Sequence, residues 1–461
     1  MKRNHFICIV LMATIALSAC GGTPPQPPRA VSPTPEQPGT ITIGQPLRAL
    51  PTAFLGFNVE LASVCSMLAQ DTANTAAYER LYTAIGPGIL HIGGHSADLS
   101  TWSASGSFRC SASQSVVTDA LITSVFAFAR RVHWRVIWTL PLLAYNPTNA
   151  AHEAAAIARS GEASLMAFAI GNEPELYAKR FGGRDTSWNS ATYLSEWRDE
   201  ERAVIAAVPQ AAIGGPDTCC SNTFYPAFAQ AAGSISQVTL LTHHFYTRSA
   251  VGSPPTIDQL LSMATYTQFS SELQGWLQTA RSVGLPLALT EVNSISNGGT
   301  SGVSNTAGAA LWLASLCFAA AAQGVSFVAV QESLHAAYNV IEDDGHPSVL
   351  YTALQLAHQI VANSQLVAVS GSIPSSLQVI ATRHADGSVQ VVLINHDAQQ
   401  TLAVSVAAPK GTAAQTLTML TAPDLAATSH AQLATQTWTG KMPVQVNPES
   451  LIVLTYHPLT A

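Results

Sequence analysis

Eight short apolar runs recur along the middle of the chain, and each is followed by a longer stretch of helical character. Apolar runs of this length between polar or turn-forming residues are typical of strands buried on both faces of a parallel sheet. Strands that alternate with helices predict such a sheet with the helices packed outside it. The runs cover residues 54–59, 88–92, 134–140, 165–170, 211–214, 238–242, 285–290 and 325–330.

The helical stretches have the number and spacing of a closed barrel. They cover residues 76–85, 116–131, 150–160, 191–208, 224–232, 259–283, 306–323 and 349–362. A doubly wound open sheet is the competing interpretation, but eight regular strand–helix units favour closure. We therefore predict an α/β fold with a (β/α)8 TIM barrel over residues 53–364.

The sequence pattern changes after residue 364. Residues 377–382 and 389–395 alternate on either side of Asp386-Gly387, a strong hairpin signal. Further strand-like runs at 402–407, 416–420, 444–447 and 451–456 come with almost no helical signal. We predict a C-terminal antiparallel β-sandwich domain over residues 365–461, joined by an N-terminal strand at 40–52. We expect this domain to stabilise the barrel rather than to bind sugar.

The first twenty residues have the pattern of a bacterial lipoprotein signal. A basic start at Lys2 and Arg3 precedes an apolar core that ends in Leu17-Ser-Ala-Cys20. We predict lipidation of Cys20, the alternative being an ordinary signal peptide that ends near a coincidental cysteine. Residues 21–39 are rich in proline and predict an extended tether. We expect the protein to be secreted across the bacterial inner membrane and then lipid-anchored to the outer membrane or cell surface.

Charge and cysteine usage narrow the range of partners. Hydrophobic residues make up 48% of the chain, which predicts a large core. The formal net charge is −7 and there is no basic stripe, so we predict no nucleic-acid partner. In an oxidising compartment Cys65 and Cys110 are a candidate bridge, and Cys219 with Cys220 are a candidate adjacent pair. Cys317 completes an odd set, and no cysteine spacing is that of a zinc site, so we predict no metal.

Polar residues collect where the apolar runs end. The strands of a (β/α)8 barrel all open their carboxyl ends on one face, where active sites lie, so these residues are expected to meet. They are Glu60; Gly93, Gly94, His95, Ser96 and Asp98; Asn172 and Glu173; Asp217; His243, His244 and Tyr246; Glu291 and Asn293; and Gln331 and Glu332.

Two of these residues, Glu173 and Glu291, form the pair that glycoside hydrolysis requires. A retaining glycosidase uses one carboxylate as nucleophile and one protonated carboxyl as acid, about 5 Å apart. Asn172, beside Glu173, is placed to bind a neighbouring sugar hydroxyl. We therefore predict a glycosidase that needs no cofactor.

Several motifs carry a resemblance to known enzymes. Asn172-Glu173-Pro174 at the fourth strand end and Thr290-Glu-Val-Asn-Ser294 at the seventh resemble the clan A glycoside hydrolases. Over roughly residues 40–461 the chain is similar to glycoside hydrolase family 79, the β-glucuronidase and heparanase family. The motifs similar to that family are Phe54-Leu-Gly-Phe-Asn-Val-Glu60, Ile92-Gly-Gly-His-Ser-Ala-Asp98, His243-His-Phe-Tyr246 and Asn293-Ser-Ile-Ser-Asn-Gly-Gly299.

The resemblance implies a role for each site residue. Glu173 would be the acid/base, Glu291 the nucleophile, and Tyr246 would be hydrogen-bonded near the nucleophile. The resemblance also implies substrate-binding roles for the remaining residues, Gly94 among them. Sugar hydroxyls would be held by Glu60, Asp98, Asn172 and Gln331. A uronate carboxylate would be received by Tyr338 and by the backbone near Gly298 and Gly299.

The chain departs from the family pattern at three positions. His91 stands where the family usually has Arg, and His95 where it often has Asn. Ser296 lies where glucuronidase members often have an aromatic residue, which leaves uronate selectivity open.

The expected function is a retaining exo-β-glucuronidase acting on a carbohydrate with a terminal β-linked glucuronic acid, 4-O-methylated or not. One alternative is an endo-acting, heparanase-like enzyme on acidic polysaccharide, and another is a non-catalytic surface glycan-binding lipoprotein. Gly94-His-Ser-Ala-Asp98 resembles an esterase elbow, but Asp98 occupies the place of the final glycine, so Ser96 is not expected to be a nucleophile. His243 and His244 point to opposite faces of a strand and are not expected to share a metal.

Overall fold

The computed structural model describes residues 39–69, 73–441 and 443–459. The predicted signal peptide, Cys20 and the tether up to residue 38 lie outside this range. Among the helices of the described ranges, none combines the length and apolar character needed to cross a membrane.

Eight parallel strands close into a barrel in the order β2-β3-β6-β7-β8-β9-β10-β11, with β11 pairing back to β2. This confirms the predicted fold class. The barrel strands are β2 (Leu55–Glu60), β3 (Ile89–Gly93), β6 (Arg135–Leu140), β7 (Leu165–Ile170), β8 (Ile213–Thr218), β9 (Val238–Ser249), β10 (Leu287–Ser296) and β11 (Val328–Glu332). A short parallel pair, β4 (Thr101–Ser103) and β5 (Val116–Thr118), lies in the connection between β3 and β6.

Eleven α-helices occur in the described ranges. They are α1 (Leu61–Val64), α2 (Ala73–Ile85), α3 (His95–Asp98), α4 (Asp119–Arg131), α5 (Pro147–Gly161), α6 (Ser190–Ala207), α7 (Phe224–Ala232), α8 (Ile257–Leu261), α9 (Met263–Ser282), α10 (Ala307–Gln323) and α11 (Val349–Val361). The predicted helix at 259–283 is two helices, because Ser262 leaves the helical conformation with a ψ of 147°. The Ser262 side chain accepts a hydrogen bond from the amide of Thr265 and so forms the N-cap of α9. The predicted helix at 116–131 begins only at Asp119, where Thr118 accepts a hydrogen bond from the amide of Leu121.

Strands β9 and β10 extend well past their apolar runs. Their pairing continues from Leu287 with Leu241 to Ser296 with Ser249. The extension consists largely of polar residues, so the apolar pattern did not indicate it. It lifts the residues after His244 and Glu291 above the rim of the barrel.

The C-terminal region forms one mixed sheet of nine strands in the order β17-β16-β19-β14-β13-β12-β1-β15-β18. This confirms the predicted C-terminal β domain; the sheet is mixed rather than wholly antiparallel, because β1 runs parallel to β15 and joins the two halves into a continuous sheet. Alternate residues of its strands form a core of their own, such as Val391 and Leu393 of β14, whereas Val392 and Ile394 of the same strand belong to the core of the barrel. The strands are β1 (Gly39–Ala49), β12 (Gln365–Ser372), β13 (Leu377–Arg383), β14 (Val389–Asn395), β15 (Leu402–Val406), β16 (Thr412–Thr421), β17 (Gln432–Thr437), β18 (Val444–Val446) and β19 (Ser450–Pro458).

Alternate residues of the barrel strands fill its interior in layers. The lowest layer is apolar and contains Ile89, Ile137, Ala169, Ala288 and Ala329 among others. Two positions further along three of these strands the side chains are polar, namely His91, Thr139 and Thr290, and all three are buried. The polar layer therefore lies directly on an apolar plug and supports whatever lies at the strand ends.

The cysteines resolve one of the two candidate bridges. Cys65 and Cys110 are joined by a disulfide, with their Cα atoms 5.8 Å apart. Cys219 and Cys220 are both free thiols, so that candidate pairing is not formed, and Cys317 is a free thiol buried in α10.

Candidate active site

A cavity of about 530 Å³ opens at the carboxyl ends of the barrel strands. Eight of the predicted site residues line it: Glu60, Asn172, Glu173, Tyr246, Glu291, Gly298, Gln331 and Tyr338. The other lining residues are His95, Leu176, Arg180, Phe181, Cys219, Cys220, Arg248, Ser249, Ser296, Asn297 and Ser333.

Glu173 reaches the cavity through an unusual backbone conformation. Strand β7 ends at Ile170, and Glu173 then adopts a left-handed φ of 48°, which side-chain-bearing residues rarely occupy. Its amide donates to the carbonyl oxygen of Asp217 at 2.8 Å, which ties it to the end of β8. Asp217 is itself left-handed, at φ 52°. Such conformations persist only where surrounding contacts impose them, and they cluster at functional sites.

The structure brings Glu173 and Glu291 together. One carboxylate oxygen of each and one ring nitrogen of His244 all lie within 4.8 Å of one another. Both glutamates are more than nine-tenths buried, with 8% and 7% of their surfaces exposed. This separation is the one found in retaining glycosidases and is too short to leave room for a water molecule between the carboxyls.

Glu291 is held by a donor on each oxygen. The Tyr246 hydroxyl donates to Oε1 at 2.7 Å, and Nδ2 of Asn58 donates to Oε2 at 2.8 Å. Burial raises the pKa of Glu291, and the carboxylate of Glu173 adds to this, whereas the charge of His244 and the Tyr246 hydrogen bond lower it. The two donors fix the carboxyl in one orientation and favour its ionised form.

His244 links the carboxyl pair to a buried aspartate. Its Nδ1 donates to Oε1 of Glu173 at 3.2 Å, and its Nε2 lies 3.5 Å from Oδ1 of Asp217. Burial alone would lower the pKa of His244, but the charges of Glu291 and Asp217 and the hydrogen bonds to Asp217 and Glu173 raise it well above its ordinary value. Burial would likewise raise the pKa of Asp217, but His244 and His91 hold it low. The surrounding carboxylates therefore favour the protonated form of His244.

His243, the neighbour of His244, points the other way. Its ring stacks on Trp276 with centroids 3.8 Å apart, in the packing between barrel and helices. This matches the expectation that adjacent strand residues diverge.

Gly94 and Ser96 both contact the side chain of Glu60. Oε1 of Glu60 accepts hydrogen bonds from both the amide and the hydroxyl of Ser96. A Cβ on Gly94 would lie 2.0 Å from Oε2 of Glu60, so only glycine fits there. The substrate contact of Gly94 stays a prediction; the residue is buried against Glu60 and makes room for its carboxylate. Ser96 is also buried, with its hydroxyl committed to Glu60.

Asp98 is buried and accepts hydrogen bonds from three backbone amides, and its predicted contact with a sugar hydroxyl stays a prediction. It has no exposed surface; Oδ1 accepts from the amides of Leu142 and Leu143 at 2.7 and 2.8 Å, and Oδ2 from the amide of Asn172 at 3.2 Å. Burial raises the pKa of Asp98 to about 6. Asp98 joins the loop after β6 to the loop after β7, and so positions Asn172 beside Glu173.

The remaining predicted residues form the wall on the side of Glu291. The amide of Ala337 donates to the carbonyl oxygen of Gly298 at 2.7 Å, which fixes the loop after β10 against Tyr338. Tyr338 lies beside Tyr246, with ring centroids 6.4 Å apart. The segment predicted to receive a uronate carboxylate therefore borders the same cavity as the carboxyl pair.

The two histidines that depart from the family pattern have different environments. His91 is fully buried in the polar layer, where it contacts the hydroxyl of Thr139 at 2.8 Å and the carbonyl oxygen of Thr290 at 3.2 Å. His95 lines the cavity and stacks on Phe181, with centroids 3.9 Å apart.

Sequence reasoning missed Asn58, Arg180 and Arg248. Asn58 is fully buried and donates to both Glu291 and Gln331. A signal for it existed, because Asn58 is two positions before Glu60 in β2 and therefore faces the same side of the strand. Arg180 lies in the loop after β7, and Arg248 lies in the polar extension of β9, where no apolar pattern indicates direction.

The fold defines the class to which this chain is structurally similar. A 4-O-α-L-rhamnosyl-β-D-glucuronidase from Fusarium oxysporum superposes with a TM-score of 0.74, at 17% identity, over 90% of this chain and 100% of that one. An α-L-arabinofuranosidase from Thermotoga maritima gives 0.70 at 15% identity, over 90% and 99%. These superpositions show the fold, a (β/α)8 barrel with a C-terminal sheet domain, which the sequence resemblance implied.

Two β-glucuronidases are similar in sequence to part of the chain. A β-glucuronidase of Neurospora crassa is 27% identical over 174 residues, which is 33% of this chain and 31% of that protein. A β-glucuronidase of Aspergillus niger is 29% identical over 168 residues, 32% and 30% respectively. The matched region spans about a third of the length of these relatives. No protein-family model matches the chain.

Proposed function

We propose that the chain is a retaining exo-glycosidase that hydrolyses terminal β-linked glucuronic acid, with or without a 4-O-methyl group. The proposal depends mainly on one observation. One carboxylate oxygen of Glu173 and one of Glu291 lie within 4.8 Å of each other and of a ring nitrogen of His244, in a cavity large enough for a sugar. Two β-glucuronidase relatives support the choice of sugar.

In the first step the carboxylate of Glu291 attacks the anomeric carbon. The bond to the leaving oxygen breaks as Glu173 gives that oxygen its proton, and a glycosyl ester forms on Glu291. Two carboxyls this close repel each other as anions, so the pair favours a state that shares one proton. The donors from Tyr246 and Asn58 favour placing the negative charge on Glu291.

In the second step Glu173 is the base. It removes a proton from a water molecule, which attacks the anomeric carbon and releases the sugar from Glu291. Nδ1 of His244 lies 3.2 Å from Oε1 of Glu173 and is placed to donate to that oxygen once Glu173 has given up its proton. His244 touches the reacting carboxyl, so it is part of the proposed machinery.

Sugar recognition is proposed for the polar residues around the pair. Glu60, Asn172 and Gln331 line the cavity and offer oxygen and nitrogen atoms for hydroxyl groups. Tyr338 and the backbone at Gly298 are proposed to receive the uronate carboxylate. Arg248 lines the same cavity and adds a positive charge that favours an acidic sugar.

A panel of nitrophenyl glycosides tests this proposal. Glucuronide, galacturonide, glucoside and xyloside are compared at equal concentration, and the glucuronide is expected to be cleaved fastest. Glu291→Gln is expected to lose turnover while it still binds ligand and folds. Hydrolysis of the glucuronide by purified Glu291→Gln at the parent rate would overturn the assignment.

An endo-acting enzyme on acidic polysaccharide is the second candidate. It is favoured by two arginines, Arg180 and Arg248, on an open cavity, because both could contact anionic sugars on either side of the scissile bond. Product analysis separates the two, since an exo-enzyme releases monosaccharide from the first turnover and an endo-enzyme releases oligosaccharides. A glycan-binding protein without activity would bind the panel and cleave nothing.

Membrane anchoring through Cys20 is part of the proposal. It is supported by the basic start, apolar core and Leu-Ser-Ala-Cys ending of residues 1–20. Cell fractionation compares the parent with Cys20→Ser. The parent is expected in the membrane fraction and the variant outside it; equal distribution would contradict the anchor.

A further inference from the structure

A second cluster of metal-ligating side chains borders the sugar cavity. Cys219 and Cys220 directly follow β8, and Glu175 lies two residues after Glu173. One sulfur atom of each cysteine and one carboxylate oxygen of Glu175 all lie within 4.8 Å of one another. Both thiols are free.

Glu175 carries an unused ligand atom. It is more than nine-tenths buried, with 7% of its surface exposed. Oε1 accepts from the amides of Cys219 and Cys220 at 2.7 and 3.0 Å and lies 3.8 Å from the Cys220 sulfur. Oε2 is buried with no hydrogen-bond partner among the described residues. A buried carboxylate oxygen without a partner is costly, and a cation bound by the Glu175 carboxylate would offset that cost.

We propose that Glu175, Cys219 and Cys220 bind a thiophilic divalent cation such as Zn²⁺ or Cd²⁺. Two sulfurs and one carboxylate oxygen are a ligand set that zinc accepts, at distances of about 2.3 Å to sulfur and about 2.0–2.2 Å to oxygen. The Cys220 thiol is exposed and free to move towards that geometry. Both cysteines also line the sugar cavity, which leaves the fourth position of the metal open towards it.

The site has an entry path separate from the sugar cavity. A second cavity, of about 710 Å³, is lined by Glu175 and Cys220 and opens beside Trp188 and Thr223. Binding is a simple exchange in which the two thiols release their protons to solvent as the metal–sulfur bonds form, with no oxidant or reductant involved. Affinity is therefore expected to rise with pH.

An occupied site affects the reaction through its position. The cation would lie beside Glu173, which is proposed to give up its proton in the first step, and would compete with the sugar for space at the cavity wall. We expect saturating Cd²⁺ to reduce glycosidase activity at least tenfold. Only this inhibition rests on the proposed function; the binding itself does not.

A cadmium titration tests the site directly. The reduced, metal-free protein is titrated with Cd²⁺ while the ultraviolet thiolate-to-cadmium charge-transfer band is recorded, and Zn²⁺ is then added in competition. The expected result is one Cd²⁺ per chain, displaced by Zn²⁺. Cys219→Ser and Cys220→Ser are each expected to remove most of the band. Glu175→Gln, which keeps an oxygen for the two amides, is expected to weaken binding at least tenfold.

Two controls separate the alternatives. Cys317→Ala removes the third free thiol, which is buried in α10, and is expected to leave the titration unchanged. Glu291→Gln alters the carboxyl pair and is also expected to leave the band unchanged, because that pair contains no sulfur. Absence of the band in the parent, or its persistence in both Cys219→Ser and Cys220→Ser, would overturn the proposal. Cadmium binding without inhibition would overturn the effect on catalysis alone.

Discussion

Removal of one hydroxyl group tests how Glu291 is prepared for attack. Tyr246→Phe deletes the donor 2.7 Å from Oε1 of Glu291 and leaves the aromatic ring in place. A hydrogen bond to a charged group contributes about 1.5–3 kcal/mol. Since about 1.4 kcal/mol corresponds to tenfold in rate, kcat/KM for an aryl glucuronide is expected to fall by about 10- to 150-fold. Asn58 still donates to Oε2, so activity is reduced and not abolished.

The pH profile gives Tyr246→Phe a second readout. The Tyr246 hydrogen bond lowers the pKa of Glu291, so its loss is expected to move the acidic limb of kcat/KM to higher pH. Tyr225→Phe is the matched control, because the Tyr225 hydroxyl is also buried but donates to the carbonyl oxygen of Trp276 outside the cavity. The reasoning is refuted if Tyr246→Phe matches Tyr225→Phe in kcat/KM and in its acidic limb.

Two further predictions concern stability. Burial raises the pKa of Glu153 to about 8 from an ordinary 4.5. The contribution of this group to the free energy of unfolding is therefore complete below pH 4.5 and is lost as pH rises towards 8. When urea unfolding is measured at pH 4.5 and at pH 7, the free energy of unfolding is expected to fall by roughly 3 kcal/mol more in the parent than in Glu153→Gln. Parallel curves for the two proteins would contradict this. Cys110→Ser opens the disulfide that spans 45 positions and is expected to cost about 2–4 kcal/mol of unfolding free energy, whereas a reductant should destabilise the parent and leave the variant unchanged. Equal midpoints for parent and variant without reductant would contradict it.

The barrel could be predicted from the sequence because each buried strand is a continuous run of apolar residues, a local pattern that is easy to detect. The sequence also predicted which residues line the cavity at the strand ends, since parallel strands all end on the same face. Strand β17 was not predicted because its residues Gln432–Thr437 are largely exposed and show no apolar alternation. The single nine-stranded sheet depends on the parallel pairing of β1 with β15, a contact between distant segments that no local pattern encodes.

The contacts of Asp98 and Gly94 show a limit of sequence-based prediction at strand ends. Polar residues at strand ends either face the cavity or satisfy buried backbone amides, and the sequence does not distinguish these roles. Asp98 accepts three amides and Gly94 makes room for Glu60, although both lie in the same motif as cavity residues. The network around His244 was missed for the opposite reason, because its partner Asp217 is distant in sequence and meets it only when the barrel closes.

The stereochemistry of the first product tests the carboxyl pair most directly. The purified protein is mixed with an aryl β-glucuronide in an NMR tube, and the anomeric proton of the released sugar is recorded before mutarotation. Carboxyl oxygens within 4.8 Å predict that the β-anomer appears first and converts slowly to the α-anomer. Initial release of the α-anomer would mean that water attacks the sugar directly, and it would contradict a covalent intermediate on Glu291.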